Sequence, residues 1–307
     1  MSSDLAVVIC THNPRGRYFE RCLAALRTQT LSTARWDLLV IDNRSSPSLD
    51  GRIDLSFHPS ARLIREEALG LTKARLRGIR ETTAPLIVFV DDDNVLDDDF
   101  LQVVVDTAVN KPFLGSFSGQ CRPGFETAPP AWTQRYWGNL AVREFDEDVW
   151  SNLPRLPDSM PCGAGLCIRR AVAEHYVELH DTHRRNIHLD RVGTSLMSGG
   201  DNDLAACACD VGLGVGLIAA LRLTHLVSPD RLTEDYLARL AEGIYFSSVL
   251  LAHFRSSPRE LASYEVRWTE HARALLAKRP HRTILRAGLR GRTRGLAQIS
   301  SQVSRRA

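Results

Sequence analysis

Apolar residues run unbroken over Leu5–Cys10 and stop at a polar turn, Thr11–Arg15, the pattern of a strand buried on both faces. Phe19, Cys22, Leu23 and Leu26 then recur at helical spacing within Tyr18–Gln29, and Trp36–Ile41 gives a second strand stopped by the turn residues of Asp42–Pro47. These three segments form a βαβ unit. Ala61–Ile64 predicts a weaker third strand, Leu71–Thr82 an arginine-rich helix, and Ala84–Val90 a strongly buried strand. Strands alternating with helices imply a mostly parallel, doubly wound sheet, in which ligands bind outside the carboxyl ends of the strands. Leu101–Val109 reads as a helix. From Gly115 to Pro161 the chain is rich in Gly, Pro and Trp without clear periodicity, and reads as loops over the ligand-binding edge. Leu166–Ile168 predicts a short strand, Arg170–Tyr176 and Asp201–Cys209 helices, Leu217–Leu226 a strand, Thr233–Phe254 a long helix, and Pro258 onward a mostly helical extension.

The 307 residues suffice for one large α/β domain with an extension, and 44% hydrophobic and 24% charged residues are ordinary for a globular chain. The net charge of +3 hides an asymmetry: Lys278–Ala307 holds nine Lys/Arg and no acidic residue. Such a tail suits either peripheral contact with an anionic membrane surface or a solvated helical or disordered end; no nucleic acid partner is expected. The seven cysteines lack the regular spacing of a disulfide framework, and neither Cys207–Cys209 nor Cys162–Cys167 has the spacing of a structural zinc site. Reduced thiols and a cytoplasmic location, at the inner face of the membrane if the tail docks there, are the expectation. No secretory signal opens the chain, and the longest apolar stretch, Val211–Leu221, falls short of the about 20 residues that cross a bilayer.

Candidate chemistry gathers at the strand ends. Asp91, Asp92 and Asp93 follow a buried strand without a break, and alternation along that strand would put Asp91 and Asp93 on one side. Hard carboxylate oxygens so arranged suit Mn²⁺ or Mg²⁺, with a substrate diphosphate filling the remaining positions. Clustered carboxylates at a buried strand end are costly unless a cation offsets them. Asp97 and Asp98 read instead as caps of the following helix. Trp132, Trp137 and Trp150 offer either sugar-stacking faces or ordinary packing. Gly212–Gly216 lacks the order and the preceding strand of a dinucleotide fingerprint.

Four segments in order, Val7–Asn13, Leu38–Ser46, Gly70–Arg75 and Val88–Asp93, resemble the donor half of the family 2 inverting glycosyltransferases, and the similarity continues through Cys162–Arg170 and Ser198–Leu204. The resemblance implies a GT-A type α/β fold, with a Rossmann-like, mostly parallel sheet flanked by helices and a basic helical C-terminal extension. It implies a transferase domain over 1–255, with a nucleotide-binding half of about 1–110 and an acceptor half of about 111–255, and an extension over 256–307. By position, Thr11, His12, Asn13 and Arg15 of the first turn, Asp42, Arg75, Asp91 and Asp92 would contact the nucleotide-sugar, and Asp93 and His225 the metal. Asp201 would be the general base that deprotonates an acceptor hydroxyl, with Asp203 as the alternative carboxylate and Arg231 as a further diphosphate contact. The family's Glu preceding that Asp is replaced here by Gly200.

The reaction so implied moves a sugar from a nucleoside diphosphate-sugar to a sugar or lipid-linked acceptor with inversion. Two other readings use the same residues: a sugar-nucleotide nucleotidyltransferase, which would want a more glycine-rich first turn than Thr11–Gly16, and a non-catalytic sugar-binding relative of the same fold. An aspartyl-phosphate phosphatase built on Asp91 and Asp93 lacks the hydroxyl residue expected after the second Asp, where Asn94 and Val95 stand.

Overall fold

The structure, a computed structural model, describes residues 3–154, 158–185, 189–191, 195–255 and 258–306. These form two compact units, the first comprising Met1–Glu126, Ala141–Asn186 and Asp201–Val227, the second Thr127–Leu140, Ile187–Gly200 and Ser228–Ala307.

The first unit is built on a nine-stranded sheet. Its strands are β1 (Leu5–Thr11), β2 (Trp36–Asp42), β3 (Arg62–Arg65), β4 (Leu86–Val90), β5 (Asn94–Leu96), β6 (Leu114–Phe125), β7 (Val149–Ser151), β8 (Leu166–Arg169) and β9 (Gly214–Val227). The spatial order is β3-β2-β1-β4-β8-β6-β9-β5, with β7 paired to β9. β3, β2, β1 and β4 run parallel, whereas β8 is antiparallel to both β4 and β6. The chain winds outward from β1 through β2 to β3 and then returns to place β4 on the other side of β1. That reversal opens a crevice at the carboxyl ends of β1 and β4, the place where open α/β sheets bind ligands.

Helices α1 (Gly16–Arg27), α2 (Leu71–Arg80), α3 (Phe100–Asn110), α4 (Arg170–Asp181) and α5 (Gly200–Asp210) accompany the sheet. Phe19, Cys22, Leu23 and Leu26 of α1 pack on one face of β1 and β2, while Ala74, Leu76 and Ile79 of α2 pack on the other. Both faces are therefore covered, which explains why β1, β2 and β4 read as continuous apolar runs. The thiols of Cys22, Cys121, Cys162 and Cys167 lie inside this core, and burial pushes each of them above the ordinary thiol range.

Three local expectations are corrected. The segment from Gly115 onward is not loop: β6 spans 12 residues, its first half buried between β8 and β9. Serines and glycines hide it in the sequence, where a strand buried on both faces ordinarily reads as an apolar run. Asp97 and Asp98 do not cap α3, whose N-cap is Asp99 without a side-chain bond. Asp97 instead pairs with Arg122, and Asp98 accepts from Thr28 Oγ1 at 2.7 Å. Finally, Asp91–Asp93 lie in a turn after β4 rather than on it, so strand alternation does not govern where their side chains point.

The second unit is helical: α6 (Glu234–Phe254), α7 (Pro258–Ser263), α8 (Trp268–Leu276) and α9 (His281–Arg306), with a 3₁₀ segment at Ala131–Leu140. Thr233 caps α6 by accepting from Tyr236 N at 3.2 Å. α9 approaches α6 closely through small residues: a Cβ at Gly291 would overlap the Glu242 backbone. Several of its cations serve this packing, since Arg290 and Arg294 reach the Glu242 carboxylate at 2.9 and 2.6 Å and Arg292 reaches Glu270 at 2.6 Å.

Candidate active site

Each part of the crevice comes from a strand end whose apolar run ends abruptly. β1 ends at Thr11, whose hydroxyl donates to the Asp92 carboxylate across the crevice between β1 and β4. The next residues, His12, Asn13 and Arg15, are exposed. His12 Nδ1 lies 2.7 Å from the Asn43 carbonyl, and the Asn13 side chain accepts from Ser46 N at 2.8 Å. Asn13 stands in the left-handed region, at φ 50°, which an asparagine tolerates better than most residues. The turns after β1 and β2 are thus tied together. Arg15 sits at the N-cap of α1 and lies 5.8 Å from the Tyr18 ring centre.

Asp42 has a more specific environment than its position alone suggests. Its carboxylate accepts from Ser45 N at 2.8 Å and Leu49 N at 3.2 Å, and pairs with Arg65 at 2.9 Å. Burial pushes its pKa up, but the bonds from Ser45 and Leu49 and the Arg65 charge outweigh that and hold it below the usual carboxylate value. At 1% exposure the side chain is enclosed by its own turn. Asn43 completes the scaffold by donating to the Glu66 and Ala68 carbonyls and accepting from Gly70 N, which fixes the start of α2. Arg65 carries no motif that marks it in the sequence, whereas Asn43 and Ser45 lie within the Leu38–Ser46 segment without an assigned role.

The acidic turn lies beside β5. Asp91 and Asp92 are half-buried, and Asp93 is 5% exposed. Burial first, and then the charges of Asp92, Asp93 and Asp91, push the Cys22 thiol up, which locates the combined negative field of the three carboxylates. Asn94 of β5 pairs in register with His225 of β9, and that pairing brings His225 Nε2 to 3.4 Å from Asp93 Oδ2. Among the described residues no group of three or more His, Cys, Asp and Glu could hold a metal ion by itself. A buried carboxylate beside an imidazole still fits a divalent ion whose other positions are filled by phosphate oxygens and water, the donor set expected for Mn²⁺ or Mg²⁺ bound together with a diphosphate.

The two candidate base carboxylates, both in the first turn of α5, have different surroundings. Asp203 is buried and held bidentately by Arg185, at 2.6 Å from Nε and 3.1 Å from Nη2. Asp201 is half-buried. Its Oδ2 accepts from Gly163 N at 2.7 Å, and its Oδ1 accepts from Asn202 N at 2.9 Å. A Cβ at Gly163 would lie 2.9 Å from Arg75 Nη2 and 3.1 Å from Asp201 Oδ2, so the guanidinium and the carboxylate flank one point of backbone. Arg75 itself is buried, with its guanidinium 5.9 Å from the Phe89 ring centre. Gly163 therefore has a steric reason to lack a side chain. The glycine at 200 has one as well, because any Cβ there would overlap the carboxylate of Asp190, a buried acid that no sequence pattern singles out.

The first unit thus brings together Thr11, Asp91, Asp92, Asp93 and His225 at one sheet edge, and Arg75 with Asp201 at Gly163. Arg231, Trp132 and Trp137 belong to the second unit. Arg231 is half-buried in the 3₁₀ turn Pro229–Leu232. Trp132 meets Tyr136 and His281 edge-on at 6.4 and 6.5 Å, and Trp137 Nε1 donates to Thr133 Oγ1 at 3.2 Å, so both indoles take part in local packing. Trp150, in the first unit, packs at 4.8 Å against Phe113 and remains 56% exposed.

A sheet of this order, with its acidic turn at the β1/β4 crevice and helices on both faces, defines a GT-A type fold. Residues 6–176, more than half of the chain, match the glycosyl transferase family 2 profile, and the chain belongs to that family. No curated protein matches the sequence. Among solved structures, TarS of S. aureus superposes with a TM-score of 0.55 at 14% identity over 91% of this chain and 46% of that one, so this chain spans about half of that TarS chain. TarS 1-349 in complex with UDP-GlcNAc gives 0.54 at 14% identity, over 94% of this chain and 79% of that one, and a second structure of TarS 1-349 gives 0.52 at 13% identity, over 98% and 92%. At these identities the likeness is one of fold.

Proposed function

We propose that this glycosyltransferase moves a sugar from a nucleoside diphosphate-sugar to a sugar or lipid-linked acceptor, with inversion at the anomeric carbon. The observation that carries this reading is the meeting of Arg75 and Asp201 at Gly163, which joins a cation from the nucleotide-binding half to a half-buried carboxylate from the acceptor half. Asp201 is the general base: it takes the proton of an acceptor hydroxyl as that oxygen bonds to the anomeric carbon, and the bond from that carbon to the diphosphate oxygen breaks on the opposite face. A single carboxylate suffices for inversion. Asp203 is spent on Arg185 and is unsuited to accept a proton from a substrate.

Thr11, His12, Asn13, Arg15, Arg75, Asp91 and Asp92 face the donor, with Asp42 shaping the turn beside them. Asp93 and His225 would hold Mn²⁺ or Mg²⁺, which neutralises charge on a leaving diphosphate. The first donors to try are UDP-sugars, since TarS structures hold UDP-GlcNAc or UDP. A panel of nucleotide-sugars with Mn²⁺ or Mg²⁺, read by release of the nucleoside diphosphate, tests the proposal. At least one donor is expected to turn over, and Asp201→Asn to abolish transfer while donor binding persists. Turnover of Asp201→Asn at the wild-type rate would remove Asp201 from the base role.

A further inference from the structure

Helix α8 is amphipathic, and its apolar side is exposed. Ala274 is buried, and Glu270, one turn earlier on the same stripe, accepts from Arg292 at 2.6 Å, so this stripe is the packed side. Trp268, Ala272 and Leu275 follow one another at spacings of four and three, with Leu276 adjoining, and form a stripe on the other side. On it Trp268 is 79%, Leu275 56% and Leu276 85% exposed. Three large apolar side chains at such exposure on nine residues of helix are not the scattered surface apolars of an ordinary protein.

The charge around this stripe says what covers it. From Arg267 to Arg286 the chain holds six Lys/Arg and one acidic residue, Glu270, which is engaged by Arg292. Arg267, Arg273, Lys278, Arg279 and Arg286 are all exposed, with Arg279 Nε 3.8 Å from Glu234. A second copy of the chain would bring two such cationic rims together, which is repulsive. An anionic lipid surface attracts the rim at about 1 kcal/mol per cation and receives Trp and Leu at the headgroup boundary. Among the described residues no helix is long and apolar enough to cross a membrane. We propose that α8, with its cationic rim, is a peripheral docking helix for anionic membrane. This places the lipid contact on α8 rather than on tail charge as such, three of whose arginines are committed to Glu242 and Glu270.

The inference does not depend on the catalytic reading, because binding is measured on the full chain without donor. Cosedimentation with phosphatidylcholine vesicles is compared with vesicles that also contain phosphatidylglycerol. Strong binding to the anionic vesicles alone, weakened by salt, is expected. Trp268→Ala with Leu276→Ala should lower partitioning at least about tenfold with an unchanged circular dichroism spectrum, and Trp268→Phe should retain most of it. Arg273→Glu with Lys278→Glu should remove the preference for anionic lipid. Equal binding to both vesicle types would overturn the proposal. So would wild-type partitioning by the double apolar variant, or a change confined to its sedimentation coefficient, which would assign the stripe to self-association.

Discussion

Asp201 and Asp203 stand two residues apart on α5, and replacing each should fail in a different way. Asp203 is buried and bidentate to Arg185, whose side chain is also buried. Asp203→Ala leaves that guanidinium in a desolvated site without its carboxylate, and breaking a buried pair by removing one partner costs about 3–5 kcal/mol. For a protein of this size the thermal midpoint should fall on the order of 10 °C. Asp201→Asn is different. The side chain is half-buried, an amide oxygen can keep one of its two backbone bonds, and water can reach the other donor, so the loss should be about 1 kcal/mol. Its effect should fall on turnover instead, by about 10²–10⁴-fold, the usual contribution of a general base. Differential scanning calorimetry and nucleoside diphosphate release, run on both variants and the wild type, separate the two outcomes. The reasoning is refuted if Asp203→Ala keeps its midpoint and loses turnover, while Asp201→Asn transfers sugar normally.

Two further substitutions probe the scaffold. Gly200→Ala forces a methyl into the Asp190 carboxylate and should cost about 1–3 kcal/mol; the same change on an Asp190→Gly background should cost clearly less, a non-additivity measurable by chemical denaturation, whereas additive losses would show that the two residues do not meet. Asp42→Asn removes a carboxylate whose folded-state pKa is lowered, so the stability that Asp42 provides is present above the ordinary value of 3.8 and lost as pH falls through the lower folded value; the variant should be less stable by about 2 kcal/mol at pH 7 and approach the wild type in strong acid, as followed by urea unfolding at several pH values.

What could be read from the chain follows from how local the relevant physics is. β1, β2 and β4 are enclosed by helices on both faces, so uninterrupted apolar runs marked them and their ends marked Thr11, Asp42 and Asp91–Asp93. β6 was illegible because Ser116, Ser118 and its glycines break the apolar run that marked the other interior strands, and its pairing partners β8 and β9 are distant in sequence. The short β5 was hidden between aspartates, yet its register with β9 is what brings Asp93 to His225. The site residues that sequence reasoning passed over are of the same kind. Arg65 completes Asp42, Arg185 takes Asp203, Gly163 binds Asp201 by its backbone, and Asp190 fills the space above Gly200, all through pairings that no periodicity encodes. They also show Asp42 bonded within its own turn and give Asp201 and Asp203 different surroundings.

Calorimetric titration of a nucleoside diphosphate-sugar into the protein with Mn²⁺ present, on the wild type and on Asp93→Ala, tests the donor site at the β1/β4 crevice most directly. Saturable, metal-dependent binding by the wild type, weakened at least about tenfold in the variant, is the predicted result. Equal affinity in the two proteins, or no binding of any nucleotide-sugar to the wild type, would contradict it.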